Sequence, residues 1–280
     1  MISAMTARRG CDFVGSDWKA VLAHNGLGDF EALWHLEAVE VDARNCHRGG
    51  WSAVSRWELA LPNGGVARVY IKRQQNFRTR SLRHPLAGDP TALREFRQME
   101  FLRRRGIPCP ETVYCAVRRR GREHRAVLVT EELDGFADLE ELAARWVRDG
   151  KAPPGVRRRL VDAVAELIGK LHAHRIRHGC LYPKHLFARI GADGRVELRL
   201  IDLEKSGWRP LRALFVVHDL AALCQHAMKA WSRSERLRFL CGYLGRKRAT
   251  PPVRRLWRRI DARLARRRQR RLPATGPRAS

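Results

Sequence analysis

Most of the side chains able to do chemistry lie in one stretch. Between residues 178 and 204 the chain reads H-G-C-L-Y-P-K-H-L-F, then a strand, a turn and a second strand, and ends on I-D-L-E. His178, Cys180, Lys184, His185 and Asp202 offer two imidazoles, a thiol, an ammonium and a carboxylate within this span. That set suits transfer of a phosphoryl group from a nucleotide, which needs oxygen ligands for Mg²⁺ and a cation on the phosphates. Its loose transition state is stabilised mainly by positioning and charge, so these groups must sit on rigid elements.

The elements that would position them are readable from periodicity. Leu160, Val161, Val164, Leu167, Ile168 and Leu171 recur at the spacing of an amphipathic helix that ends near His172. A polar loop from His178 leads into a short apolar strand over 186–190, a turn at 191–194 and a second strand over 196–201. The hairpin ends by presenting Asp202, and a carboxylate at the end of a buried strand is a natural metal ligand.

His178, His185 and Asp202 fall where protein kinases carry the His and Asn of H-R-D-x-x-x-x-N and the Asp of D-F-G. More narrowly, H-G-C-L-Y-P-K-H-L-F followed by I-D-L-E resembles the lipopolysaccharide kinase family, the InaA/WaaP group that phosphorylates core sugars of bacterial lipopolysaccharide. The resemblance runs from about residue 45 to 245. It implies an α+β, two-lobed, protein-kinase-like fold with a small β-rich N-lobe and a larger helical C-lobe. It also implies ATP and Mg²⁺ as cofactors, and the lipopolysaccharide core or another anionic glycolipid as partner. In that group a His commonly replaces the kinase Asn, as His185 does here. Asp202 would then bind the metal, with His185 as a second ligand or as an orienting hydrogen-bonding group. Lys184 would touch the transferred phosphate or the acceptor, and His178 would be structural.

One position departs from the kinase pattern. Cys180 stands where kinases place the Asp that accepts the substrate proton. Two readings stay open. A general base contributes about 10²–10⁴-fold while metal and phosphate positioning supply the larger part, so transfer can survive its loss. The alternative is a catalytically impaired pseudokinase that binds nucleotide or a partner.

Upstream, Lys72 closes V-Y-I-K, which resembles the V-A-I-K of the third kinase strand, and would hold the phosphates as a compact point charge. Gly49 and Gly50 precede a strand to Leu61, a turn over 62–65 and a strand over 66–72. They serve either as a phosphate-covering loop or as an ordinary strand-entry turn. A basic loop is expected over 73–90 and a helix over 91–105, on which either Glu95 or Glu100 is spaced to hold Lys72. The R-E-F at 94–96 resembles the family and favours Glu95. Strands near 112–118 and 125–131 lead to a hinge over 132–135, where adenine would bind backbone groups. A helix over 138–147 opens the larger lobe, and a Pro-Pro-Gly break at 153–155 precedes the helix already described. Residues 205–210 read as a shortened activation segment. A helix over 217–230 follows, whose Asp219 the resemblance assigns to the catalytic-loop backbone.

The domain plan is an N-terminal extension over 1–44, helical around 29–41, an N-lobe over 45–134, a C-lobe over 135–250 and a tail over 251–280. In the tail Val253, Leu256, Trp257, Ile260 and Leu264 form an apolar stripe amid dense arginine. This is either a basic amphipathic helix for an anionic leaflet or a last lobe helix packed on the core. Residues 272–280 are expected to be disordered.

Composition sets the outer limits. The chain has 280 residues and 44% hydrophobic content, enough for a full core. Its 56 basic residues outweigh 29 acidic ones, giving net +27 and a pI near 11.3. Nucleic acid, an anionic membrane surface or a phosphorylated glycolipid would each answer that charge, as would a merely Arg-coated surface. No recognisable DNA- or RNA-binding motif accompanies the charge, so nucleic acid is set aside. Phosphotransferases for cationic small molecules usually keep the loop Asp and carry acidic pockets, unlike this basic chain. Seven cysteines without a C-x-x-C pair argue for a reducing compartment, and residues 1–18 lack a continuous apolar h-region. With no apolar run long enough to span a bilayer, the expectation is a cytoplasmic protein or one peripheral to the inner membrane.

Overall fold

The computed structural model describes residues 12–269 apart from 42, 48, 82–83, 151, 153 and 228–230. The expected disorder of 272–280 therefore lies outside the described residues, as do Arg48 before the glycine pair and Pro153 of the break. The chain divides into two compact units, Met1–Asp134 and Gly135–Ser280.

Among the described residues, the first unit is built on an antiparallel sheet of six strands. In chain order its elements begin with β1 (Asp12–Val14), α1 (Lys19–His24), α2 (Phe30–His35), β2 (Asn45–His47), β3 (Gly50–Ala60) and β4 (Val66–Gln75). They continue with β5 (Arg78–Ser81), β6 (His84–Pro90), α3 (Thr91–Arg103), β7 (Thr112–Arg120) and β8 (Glu123–Glu131). The sheet order is β1-β7-β8-β4-β3-β2. Its period-2 alternation sends two sets of side chains to opposite faces. Leu59, Val69, Ile71, Val127 and Val129 pack against Leu22, Phe30 and Leu33 of α1 and α2. On the other face Cys115, Ala126 and Leu128 pack against Ala92, Leu93 and Phe96 of α3.

Two expectations are corrected here. The N-terminal segment packs on the sheet of the first unit, with β1 forming one edge and α1 and α2 covering one face. Its helix spans Phe30–His35 rather than 29–41. The Asp29 side chain caps its start by accepting the Ala32 N–H at 2.9 Å, and at its C-terminal end Arg73 Nη1 donates to the carbonyls of Trp34 in the last turn at 3.1 Å and of Leu36 at 2.7 Å. A guanidinium far away in sequence thus satisfies carbonyls that a longer helix would have used. The basic loop over 73–90 instead holds the β5–β6 hairpin, and β4 runs on to Gln75, so Lys72 sits inside its strand.

The start of α3 is held by one buried side chain. Pro90 at its N-cap offers no side-chain acceptor, leaving the first amides to find partners elsewhere. Gln74, 2% exposed, supplies one: its Oε1 accepts the Ala92 N–H at 2.8 Å, and its amide also bonds the Thr91 hydroxyl and Ser52 Oγ. Gln74 and Lys72 lie on the same face of β4, two residues apart, so the strand carrying the lysine also anchors the helix carrying Glu95.

The second unit contains β9 (Ala137–Asp138), α4 (Leu139–Arg148), α5 (Pro154–Ala173), β10 (Ile176–Arg177), β11 (Leu186–Ile190) and β12 (Val196–Leu200). It continues with β13 (Gly207–Trp208), α6 (Arg212–Ala227), α7 (Arg233–Tyr243) and α8 (Pro251–Gln269). The apolar face of α5 is buried along its length, from Leu160 through Val164 and Ile168 to Leu171. It packs on α7, where Arg157 grips Glu235 through two hydrogen bonds of 2.6 and 2.8 Å. That grip, with the Ser232 cap, holds the Glu235 carboxyl down at about 2. The tail stripe is settled as core: Val253, Leu256, Ile260 and Leu264 are buried, and α8 packs on α6 and α7. The reading of that stripe as a face for a leaflet is therefore corrected, because its apolar area is already removed from water.

Replacing Gln74 by Leu leaves the Ala92 amide of α3 and the Thr91 hydroxyl without their buried partner, a loss of about 1–3 kcal/mol. Native-state hydrogen exchange is expected to show faster opening at 91–96 by roughly ten- to a hundredfold, with the amides of β4 and β8 still protected. Unchanged protection of α3 would show that its anchor lies elsewhere.

Candidate functional site

In the first unit the structure brings Lys72 and Glu95 together. Lys72 Nζ stands 2.5 Å from Glu95 Oε2, with the carboxylate side chain only 11% exposed. The spacing left Glu95 and Glu100 open; Glu100 instead pairs with Arg103 at 3.1 Å, one turn along the same helix. A charge-assisted bond in a half-buried setting is short and directional, and it fixes where the ammonium points. The glycine pair forms the turn between β2 and β3, whose last register pair is His47 with Gly50. Gly49 has φ +76°, and a Cβ on Gly50 would lie 2.2 Å from the Gln75 carbonyl oxygen. Gly50 is thus required by close backbone approach to the end of β4.

In the second unit the loop between β10 and β11 is built around two buried groups. His178 and Asp219 are each 0% exposed. Asp219, on α6, accepts the backbone N–H of His178 at 2.7 Å and of Gly179 at 3.2 Å. His172 Nε2 lies 3.4 Å from the same carboxylate, and these partners hold Asp219 well below the usual carboxylate range even though burial alone would raise it. His178 Nδ1 accepts the Cys180 N–H at 3.3 Å, so its Nε2 carries the proton and donates to the Ile201 carbonyl at 3.1 Å. The ring is a neutral bridge from the loop to the residue before Asp202, and burial pushes its pKa down to about 4. Gly179, at φ +88°, passes so close to Lys205 that a Cβ would meet its carbonyl oxygen at 2.8 Å. The Ser206 hydroxyl completes the join by donating to the Arg177 carbonyl at 3.1 Å.

Asp202 follows β12 in a left-handed conformation, φ 55° and ψ 58°. For a residue other than glycine this is uncommon, and such conformations gather where a side chain must be aimed. His185, on the one-turn helix Pro183–His185, has Nδ1 2.8 Å from the Cys180 carbonyl and 3.4 Å from Asp202 Oδ2. A carbonyl only accepts, so Nδ1 carries a proton and cannot ligate a metal there; in the neutral ring only Nε2 has a lone pair to offer. Lys184 is exposed on the same turn.

Cys180 is 7% exposed. Burial pushes its thiol up, against the opposing pull of Lys205, whose ammonium hydrogen-bonds it. Lys205 is itself raised: burial works against its charge, but Cys180, Glu204 and Asp202 favour it. At neutral pH the pair is a thiol beside an ammonium, so Cys180 does not stand ready to accept a proton. Lys205 was missed as a member of this cluster. Sequence separates it from Cys180 by a hairpin, and the signal for it was its place three residues after Asp202.

Among the described residues no cluster of three or more His, Cys, Asp or Glu could enclose a metal by itself. Mg²⁺ is commonly held by one or two carboxylates with waters and substrate phosphates, and Asp202 offers that kind of hard donor. The residues fit an ion delivered with a nucleotide and do not form an all-protein cage.

These two units, an antiparallel sheet with a lysine–glutamate pair and a helical part with a loop leading to an aspartate, define a protein-kinase-like α+β protein. The chain belongs to the lipopolysaccharide kinase (Kdo/WaaP) family, whose profile matches residues 31–243. It is 32% identical over 198 residues to Protein InaA of Escherichia coli (strain K12), covering 70% of this chain and 86% of that protein. It is 35% identical over 133 residues to the lipopolysaccharide core heptose(I) kinase WaaP of Pseudomonas aeruginosa, covering 45% of this chain and 48% of that one. A solved structure of WaaP in complex with acyl carrier protein superimposes with a TM-score of 0.65 at 26% identity, over 93% of this chain and 98% of that one.

His178 yields a pH prediction. Its folded pKa of about 4 lies below the ordinary 6.5, so the unfolded chain takes up the proton first. The stability it contributes is full above about 6.5 and is lost as the pH falls towards 4. Urea midpoints are expected to fall through that window, while imidazole ¹⁵N shifts keep His178 neutral until the lower end. An imidazole that titrates near 6.5 would mean that the ring is not the buried bridge described.

Proposed function

We propose that the chain is an ATP-dependent phosphotransferase acting on a sugar hydroxyl of the lipopolysaccharide core, presented at the cytoplasmic face of the inner membrane. The observation that carries this reading is the Lys72–Glu95 pair at 2.5 Å, the arrangement by which kinases aim a cation at nucleotide phosphates. In this reading Lys72 holds the phosphates, Glu95 orients Lys72, and the turn at Gly49 and Gly50 lets backbone amides approach them. Asp202 holds Mg²⁺, which supplies charge neutralisation of the phosphates when bound. His185, bonded to the Cys180 carbonyl, orients the Asp202 side of the loop, and Lys184 contacts the phosphate being moved or its acceptor.

The acceptor proton has no carboxylate at the Cys180 position to receive it. A loose transition state builds little charge on the attacking oxygen before the leaving group departs, so positioning and the cations carry most of the work. The protonated state of Cys180 also favours a second reading, a pseudokinase that binds nucleotide without turnover. The WaaP structure with acyl carrier protein makes such a carrier a further candidate partner in either case.

The deciding experiment is ATP turnover by the purified chain with Mg²⁺, with and without lipopolysaccharide core, beside an Asp202→Asn control of unchanged thermal unfolding. Acceptor-stimulated turnover is expected, with a loss of at least about 10²–10³-fold in the control, the scale of removing one preorganised charge from a transition state. Cys180→Ser is expected to keep turnover within tenfold, because a thiol that is protonated contributes no base. Nucleotide binding with no turnover at any acceptor concentration would replace the kinase reading by the pseudokinase one.

A further inference from the structure

The outer side of the last helix carries a feature that phosphoryl transfer does not use. α6 and α8 lie side by side, and between them runs a groove of about 640 Å³. Arg255, Arg258, Arg259, Arg263 and Arg266 of α8 line it, and among its described lining residues none is acidic. Its other wall comes from Ala213, Leu214, Val217 and His218 of α6, so guanidinium groups line a groove whose α6 side is largely apolar. Leu214 is 75% exposed and Leu211, just ahead of α6, is 62% exposed. Trp208, at the end of β13 a few residues earlier, is 50% exposed.

We propose that this groove is a docking surface for a bilayer rich in anionic phospholipids. Guanidinium groups pair with phosphodiester headgroups through two parallel hydrogen bonds, and each basic residue near such a surface adds to the attraction. Leucine and tryptophan gain by entering the headgroup boundary, which gives the exposed Leu211, Leu214 and Trp208 a purpose that a purely ionic partner would not. Charge complementarity names the partner as anionic, and the exposed Leu214 in the arginine-lined groove, with Leu211 and Trp208 exposed just ahead of it in sequence, favours a lipid surface over a nucleic acid backbone. The apolar stripe of α8 does not enter the bilayer, because it is buried against its own unit. Contact is made instead by the arginine face of α8 and the start of α6. The inference gives the reaction proposed above a way of reaching a membrane-borne acceptor, and rests on that reading for its purpose alone.

The test is sedimentation of the full chain with vesicles of phosphatidylcholine alone or mixed with phosphatidylglycerol. Asp202→Asn must bind as the native chain does, which separates this question from catalysis. Binding to the mixed vesicles is expected, with little to phosphatidylcholine alone. The triple variant Arg255→Glu, Arg258→Glu and Arg266→Glu reverses exposed side chains of the groove and is expected to weaken it by roughly a hundredfold or more. A control triple, Arg233→Glu, Arg246→Glu and Arg248→Glu, makes the same change in net charge on exposed residues outside the groove and is expected to cost less than tenfold. Leu211→Ser with Leu214→Ser is expected to weaken binding without changing its dependence on anionic lipid. Equal losses in both triples would assign the binding to overall charge and overturn the proposal. So would competition by soluble glycerophosphoglycerol at matched headgroup concentration, which would mark a pocket for a free phosphate ester.

Discussion

The second unit depends on one buried carboxylate. Asp219 takes two backbone amides of the loop that carries Cys180, Lys184 and His185, and it does so with no exposure to water. An ionised group so placed is tolerable only because every side is answered, by amides, by His172 and by His218. The cost of leaving it unpaired is what makes the loop rigid, since any movement of 178–179 would strand the charge. His178 then passes that rigidity to the strand end at Ile201, and Asp202 inherits a fixed, left-handed backbone.

The first unit solves a similar problem with a neutral group. Gln74 caps α3 from the neighbouring strand, so the helix that bears Glu95 cannot slide along the strand that bears Lys72 without breaking buried hydrogen bonds. An amide is a gentler device than a buried charge, because it demands less compensation from its surroundings. The lysine–glutamate pair itself is partly accessible, its side chains 22% and 11% exposed.

Arginine excess is used in two ways. Some guanidinium groups are internal fasteners, such as Arg157 on Glu235 and Arg73 on the carbonyls at the C-terminal end of α2. Others line the α6–α8 groove, where no acidic residue stands among the described lining. Net charge sums these without distinguishing them, which is why +27 by itself pointed to several partners at once.

The local pattern determined the elements whose burial is one-sided. The 3.6-residue repeat from Leu160 to Leu171 and the strand-turn-strand over 186–201 were legible because neighbouring residues suffice to define them. The V-Y-I-K and H-G-C-L-Y-P-K-H motifs were legible for the same reason, being short and contiguous. What sequence left open were choices settled by groups far apart in the chain. Glu95 and Glu100 are equally spaced candidates until α3 is seated by Gln74. The tail stripe suits a leaflet or a core equally well until α6 and α7 occupy it, since apolar area is blind to what covers it. Lys205 joins Cys180, and Arg73 ends α2, only when strands distant in sequence are brought side by side. Periodicity is a property of neighbours along the chain, whereas pairing, capping and protonation belong to neighbours in space, and those the tertiary structure alone decided.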